Sequence, residues 1–423
     1  MKFWLIQIAE LLPGGVDCSS RKWPLNFLSD SLINKGHDVV WWSSTYIHTH
    51  KKYRSNAYQE LKFQNNLTVK CLHSSKAYNR NVSIKRILYN RDLANAFLCK
   101  ARSEEHKPDL ILSIIPTLEM CDAAGVLAKT WNVPLITHVY DVWPDSYLNV
   151  LPKCLRNNIG KLLLWTEYRR LRNILTASHS LTAVSEQYLK WAISHRGTPQ
   201  KITDQIFPLG YGETLSPVVE QTRAFREKYK IPQEAIIVSF IGTFGKFYDV
   251  GIIIKAAKRL RNSFKNVFFV IAGKGDNEKK LKKLAMDLPN VIFTGWLDSD
   301  DLSVLKHLSY LGCLSYNKAA TQSFPFKMFD YISSGVPIIS SLKGDLYELI
   351  ETKKIGLNYE AENLESFIKT LFTLLTDCIV RQRYSENAFT LFNQKYNANL
   401  VYNQFADYLI SVAQGEKSKR VIL

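Results

Sequence analysis

Several features that would assign this chain to a common class are missing. No run approaches the ~18 consecutive apolar residues that cross a bilayer, so a spanning helix is not expected. The seven cysteines, at positions 18, 71, 99, 121, 154, 313 and 378, are scattered and contain no Cys-x-x-Cys pair. That pattern implies neither a disulfide framework nor a zinc site and fits a reducing cytosol. The nine histidines show no ligand spacing, and no metal is expected. Neither Gly-x-Gly-x-x-Gly nor a Walker A sequence occurs, which disfavours a dinucleotide dehydrogenase and a P-loop kinase. The opening MKFWLIQIAELLPGG is interrupted by Gln7 and Glu10 and lacks a small-residue cleavage site, so it reads as a first strand rather than a signal peptide.

What is present is ample apolar content and an excess of positive charge. At 423 residues and 46% apolar, the chain can bury two cores, and two domains of about 200 residues are expected. The net charge is +17, and residues 1–210 hold 27 Lys/Arg against 16 Asp/Glu. Between Lys51 and Lys107 the ratio is 13 to 4. A basic N-terminal half attracts phosphorylated substrates or an anionic membrane surface; a well-solvated face is the plainer alternative. No aromatic RNA-binding signature or zinc-finger spacing accompanies the charge, so nucleic acid is not an expected partner.

Strands and helices alternate along the chain. Phe3-Trp4-Leu5-Ile6, Val39-Val40-Trp41-Trp42, Leu110-Ile111-Leu112, Leu135 to Val139 and Ser180 to Val184 read as strands of a first sheet. A polar, aromatic and basic stretch over 45–80 reads as a long loop with short strands. Ile84, Ile87, Leu88, Leu93, Phe97 and Leu98 mark a basic amphipathic helix, suited to packing on the sheet or to resting on a membrane. A further helix is expected over roughly 155–175, and Ser185 as a helix cap. Ile206 to Gly212 is the linker. The rhythm restarts with strands at 236–241, 267–272, 291–293 and 311–314, and helices are expected near 362–377 and 399–413. Two βαβ series imply an α/β protein of two doubly wound, Rossmann-like sheets, with ligands at the carboxyl ends of strands.

The most informative stretch is QSFPFKMFDYISSGVPIISS, from Gln322 to Ser341. Pro325 suits a first helical turn, Met328, Phe329 and Ile332 share a core-facing side, and Gly335-Val336-Pro337 ends the helix before an Ile338-Ile339 strand. Lys327 beside a helix start forms an anion site, and Asp330 is placed to accept from ribose hydroxyls. Other polar clusters end strands at Gly14-Gly15, Asp141 to Asp145, Gly242-Thr243-Phe244-Gly245-Lys246, Gly273-Lys274-Gly275 and Gly295-Trp296. Glycines permit close backbone approach, and Lys246 with Lys327 can neutralise a diphosphate. Asp298-Ser299-Asp300 mimics a metal-binding Asp-x-Asp, but it directly precedes a helix and reads as a cap.

These motifs together resemble the retaining GT-B glycosyltransferases of family 4, in the bacterial surface-polysaccharide branch. The likeness covers nearly the whole chain, from the Gly-Gly loop through Asp-Val-Trp-Pro-Asp and Pro-Leu-Gly-Tyr to the C-terminal series. It implies two facing Rossmann-like domains with a cleft between them. The domains are an acceptor-binding domain over 1–207, a nucleotide-sugar-binding domain over 208–396, and a C-terminal helix over 397–423 crossing back to the first. The family carries Glu-x7-Glu, and here Gln322 takes the first position and Asp330 the second. The resemblance implies a UDP- or GDP-sugar donor held by Gly14, Gly15, Gly242, Thr243, Lys246, Gly273, Gly275, Trp296, Gln322, Ser323, Phe324, Lys327 and Asp330. Lys246 and Lys327 carry the diphosphate, and Asp141 is the leading catalytic candidate on the acceptor side. Asp145 is second to it, with helix capping as its other reading, and His37 and His138 read as structural. No metal or cofactor is implied, the nucleotide-sugar being a substrate. A cytoplasmic enzyme on the inner face of the membrane, extending a lipid-linked saccharide, is the expectation. A non-catalytic nucleotide-sugar binder or scaffold of polysaccharide assembly is the alternative, favoured by Gln322.

Overall fold

The computed structural model describes residues 1–14, 16–17, 22–63, 66–79, 83–148, 159–213, 216–320 and 324–421, with side chains to 415. The chain divides into two compact units, Met1–Gly210 with Ala398–Leu423, and Tyr211–Asn397.

The first unit is built on β1 (Lys2–Ile6), β2 (Asp38–Ser44), β5 (Gln59–Phe63), β6 (Leu67–Leu72), β7 (Leu110–Ile115), β8 (Leu135–Val139), β9 (Ser180–Ala183) and β10 (Gln205–Ile206). Their order is β10-β9-β8-β7-β1-β2-β6-β5, and a separate pair joins β3 (Tyr46–Ile47) to β4 (Lys52–Tyr53). Successive side chains of a strand point to opposite faces, and both faces here are apolar. Phe3, Leu5, Val39 and Trp41 enter one core with Leu25, Leu28 and Leu32 of the helix Pro24–Asn34. Trp4, Ile6, Val40 and Trp42 enter the other with Leu93 and Phe97 of the helix Ile84–Arg102. That double burial is why the strands read as continuous apolar runs. Of the amphipathic stripe of the helix Ile84–Arg102, Leu93 and Phe97 are buried on the sheet, while Ile84 and Leu88 at its start stand exposed.

The helix Ala398–Val421 returns to the first unit. Val401, Phe405 and Leu409 join its core, and Tyr402 stacks on Phe27 at 5.9 Å. Gly210 fits beneath it because a Cβ there would lie 2.7 Å from the Tyr402 ring and 2.8 Å from the Ala398 Cα.

In the second unit β11 (Ile236–Ile241), β12 (Val267–Ala272), β13 (Val291–Gly295), β14 (Ser309–Leu314), β15 (Ile338–Ser340) and β16 (Gly356–Asn358) form one parallel sheet. The order is β13-β12-β11-β14-β15-β16. Strand order reverses between β11 and β14, where the two flanking loops diverge and leave a crevice for ligand.

Some expectations need correction. The stretch 45–80 contains a full parallel strand, β6, and β5 runs antiparallel to it, so the first sheet is mixed. Among the described residues of the expected 155–175 helix, the regular part is Trp165–Ala177, preceded by a turn at Lys161–Leu163. Helices at Asp345–Lys353 and Cys378–Leu391 and the strand β16 were not foreseen. The first of these helices is short and the second has no clear apolar stripe, so periodicity was silent.

The helix Met328–Ile332 is only five residues long and is buried. Tyr331 anchors it: its hydroxyl donates to the Ser239 carbonyl and accepts from the Ile241 N–H, both at 3.0 Å. The ring lies on Gly312 of β14, where a Cβ would sit 2.4 Å from it. Gly312→Ala should therefore overpack this junction and destabilise the second unit by about 1–3 kcal/mol. Urea denaturation measures it, and an unchanged midpoint would show that the ring can move aside.

Candidate active site

At the carboxyl ends of β11, β12 and β13 three glycines bring backbone against backbone. Gly242 has φ +157°, and its N–H donates to the Ala272 carbonyl at 2.9 Å. Gly273 has φ +139°, its N–H donates to the Gly295 carbonyl at 2.7 Å, and a Cβ on it would lie 1.8 Å from the Gly242 carbonyl oxygen. A Cβ on Gly275 would lie 2.7 Å from the Phe244 nitrogen. No residue with a side chain fits at Gly273, so this nest is built for close approach.

Lys327 projects into the nest. It is the N-cap residue of the helix Met328–Ile332. A Cβ on Gly242 would lie 1.9 Å from its Nζ, so only glycine admits the ammonium there. The Nζ stands 3.8 Å from the centre of the Tyr248 ring and 5.5 Å from that of Phe240. It is buried and, among the described residues, has no hydrogen-bond partner. Burial lowers its pKa from the ordinary 10.5 to about 8, against a smaller opposing pull from Asp330. A buried cation supported only by ring faces is an electrostatic debt that an incoming anion settles. The flanking helix Met328–Ile332 is too short to contribute a strong terminal field, so the positive charge at this nest is the lysine's own.

The other expected donor-site residues are distributed as follows. Thr243 and Lys246 are exposed on the loop after β11, which Asn317 braces by donating its Nδ2 to the Lys246 carbonyl at 2.6 Å. Trp296 is exposed directly after Gly295 at the end of β13, and Phe324 is exposed with its ring 6.0 Å from Phe329. Asp330 is buried, and its Oδ1 accepts from the Tyr211 hydroxyl at 2.5 Å, with the Lys306 ammonium 3.4 Å from that hydroxyl. Gln322 and Ser323 lie outside the described residues, as does Gly15. Beside Tyr248 a cavity of about 540 Å³ is bounded by Phe244, Asp249 and the lysines 255, 280 and 283.

In the first unit, Gly14 has φ +69° beside Phe63. Asp141, the leading catalytic candidate, is held by its own loop. Its Oδ1 accepts from the Val142 N–H at 2.8 Å and the Ser146 hydroxyl at 3.0 Å, and its Oδ2 accepts from Trp143 Nε1 at 3.0 Å. With both oxygens accepting from its own loop, Asp141 braces the strand end. Asp145 does not act as a simple cap. It accepts from the Tyr168 hydroxyl and from Trp191 Nε1 at 2.7 Å, tying two helices together. His138 is buried, bonded to the Thr182 hydroxyl at 2.8 Å, and burial lowers its pKa to about 3, as suits a structural residue. Asp298 accepts from the N–H groups of Asp300 and Asp301 at 3.1 and 2.9 Å, the capping role expected of it.

Two residues escaped sequence reading. Tyr248 is the platform for Lys327, yet nothing in spacing links them. Glu10, just past β1, is buried with its Oε2 accepting from the Leu25 N–H at 2.9 Å, and desolvation raises its pKa to about 8. A lone acid in an apolar run was the available signal.

Residues 221–390 match the family described as glycosyl transferases group 1. WcaI of Escherichia coli K12, named as a glycosyl transferase of colanic acid biosynthesis, is 23% identical over 298 residues, 68% of this chain and 71% of that one. Sucrose-phosphate synthase of Thermosynechococcus elongatus is a structural neighbour with a TM-score of 0.69 at 14% identity, covering 98% of this chain and 99% of that one. HepE of Anabaena, solved with UDP and glucose, has a TM-score of 0.63 at 15% identity over 97% and 100%. The fold is GT-B.

The lowered pKa makes a stability prediction. Charging Lys327 is unfavourable in the folded protein. That penalty is fully present below pH 8 and fades as pH rises towards 10.5, because over that window the unfolded chain binds more protons than the folded one. Lys327→Met should match or exceed the wild type in urea stability at pH 7, with its relative advantage shrinking by pH 10. A variant markedly less stable than wild type at pH 7 would mean that the ammonium is a structural support.

Proposed function

We propose that the protein is a retaining glycosyltransferase, moving a sugar from a UDP- or GDP-sugar to a lipid-linked saccharide in cell-surface polysaccharide synthesis. The observation that carries this reading is the buried Lys327 ammonium, without a hydrogen-bond partner among the described residues, in a glycine nest at the carboxyl end of β11. The nest lies within the stretch that matches group 1 glycosyl transferases. The polysaccharide setting is supported by the likeness to WcaI, and a nucleotide donor by the fold shared with UDP-bound HepE. The basic first half of the chain supports an acceptor held at the cytoplasmic face of an anionic membrane. No helix among the described residues is long and apolar enough to cross a membrane.

In this mechanism the donor diphosphate sits against Lys327, with the exposed Lys246 closing over it. The bond from the anomeric carbon to the diphosphate oxygen breaks, and the electron pair leaves with the diphosphate. The acceptor hydroxyl attacks from the same face and passes its proton to the departing phosphate oxygen, so configuration is retained without a protein base. The protein's contribution is charge held in place before the reaction begins. Thr243, Phe324 and the glycines 242, 273 and 275 shape the donor site, and Trp296 borders the base. Asp330 accepts from ribose, and Gln322 with Ser323 meets the donor sugar. The two lysines supply the positive charge, so no metal is required in this reading and no cofactor takes part. Asp141 positions the acceptor-side loop.

Gln322 gives a second reading its footing. A neutral amide stands where the family carries a carboxylate, as in a protein that binds donor without transferring it. Incubation with radiolabelled UDP- and GDP-sugars and lipid-linked acceptor separates the two. Transfer that falls by about a hundred-fold or more in Lys327→Ala is expected. Calorimetric donor binding without transfer or hydrolysis would favour the binder.

A further inference from the structure

A short run of the first unit holds four large apolar side chains in water. Ile159, Leu162, Leu163 and Trp165 are 51, 76, 70 and 57% exposed. Single exposed apolar residues are ordinary on soluble proteins, but a contiguous group marks a contact surface. The helix that follows, Trp165–Ala177, buries Leu171, Ile174 and Leu175 against the core. Its outer face carries Trp165, Arg169 and Arg172 at i, i+4 and i+7, all exposed, and Lys161 is exposed just before it. The Arg169 guanidinium lies 5.7 Å from the centre of the Trp165 ring. Glu167 is the sole acid between residues 159 and 177. It is buried, and its Oε2 pairs with Arg170 Nη1 at 2.6 Å, turning that arginine inward beside Glu119 and Asp122. The outward surface of the segment therefore combines apolar bulk with cations and has no exposed carboxylate of its own, the nearest being the half-exposed Asp122 beside Arg170.

We infer that Ile159–Arg172 is the membrane-docking element of this protein. Its leucines and Trp165 enter the headgroup–acyl boundary, and Lys161, Arg169 and Arg172 meet anionic headgroups. The inference deepens the proposed function, resting on its membrane-bound acceptor, and it relocates the contact. The helix Ile84–Arg102, the candidate from periodicity, spends Leu93 and Phe97 on the core and leaves only Ile84 and Leu88 of its large apolar side chains exposed, a smaller patch without an aromatic. Leucine and tryptophan beside arginine and lysine, with no exposed acid in the segment, suit an anionic bilayer surface. A rim in which Lys161, Arg169 and Arg172 outnumber the nearby Asp122 also opposes a second copy of the same face, since like charges would meet.

The test uses the full chain and sedimentation with vesicles of phosphatidylglycerol and phosphatidylethanolamine, against vesicles of phosphatidylcholine alone. Wild type should pellet with the anionic vesicles. Arg169→Gln/Arg172→Gln should bind about five-fold more weakly for each charge removed at low salt. Leu162→Ser/Leu163→Ser/Trp165→Ser should lose binding at low and high salt alike. All these positions are exposed, so unchanged thermal unfolding is expected; quenching by brominated lipid, lost in Trp165→Phe, reports insertion directly. Wild type that ignores anionic vesicles overturns the inference, as does a triple variant that binds like wild type. A triple variant that turns a dimer into a monomer while still binding vesicles also overturns it, in favour of self-association. Transfer to a water-soluble acceptor analogue keeps the two readings apart. Transfer without vesicle binding sinks only the docking element, whereas vesicle binding through these residues without transfer sinks only the enzyme.

Discussion

The second unit is organised around an ammonium with nowhere to discharge. Lys327 is held against the Gly242 backbone and over the Tyr248 ring, without a carboxylate or carbonyl to accept from its Nζ among the described residues. Several sequence choices follow from that contact. Gly242 must lack a side chain, Gly273 must lack one because it meets the Gly242 carbonyl, and Gly275 must lack one because it meets Phe244. The Tyr331 hydroxyl ties the short helix to the last residues of β11, which sets where the lysine stem begins.

Energetically this is an arrangement that folding alone would not favour. A buried cation supported by ring faces recovers only part of its desolvation penalty, and the lowered pKa records the remainder. Two other buried cations, by contrast, are paired with carboxylates. Arg54 meets Asp17 at 2.6 Å and Arg196 meets Asp204 at 2.7 Å. The contrast sets Lys327 apart from the structural ion pairs. Asp141 and Asp145 are likewise engaged by neighbouring donors.

Much of the architecture was legible because buried parallel strands leave an unmistakable trace. Residues 236–241, 267–272 and 135–139 were read to the residue, since both faces of those strands are apolar. The edge strand β5 alternates between half-buried and exposed positions, and its Gln-Glu-Leu-Lys-Phe sequence reads as loop. Lys327 was legible from its motif, and the glycine nest from strand-end glycines. Tyr248 was not, because an aromatic platform is assembled by the sheet and not by proximity in sequence. The local role of Asp141 depends on where the Trp143 indole turns, which residue type does not encode.

The central claim is that Lys327 waits for a diphosphate. Titrating UDP into the protein at pH 8.5, in buffers of different ionisation enthalpy, tests it most directly. A group with a pKa near 8 is largely neutral at that pH, and an adjacent diphosphate draws a proton onto it. The account predicts that binding takes up a substantial fraction of a proton and that Lys327→Met abolishes the uptake and weakens binding at least ten-fold. Binding of equal strength in wild type and variant, with no proton taken up, would contradict it.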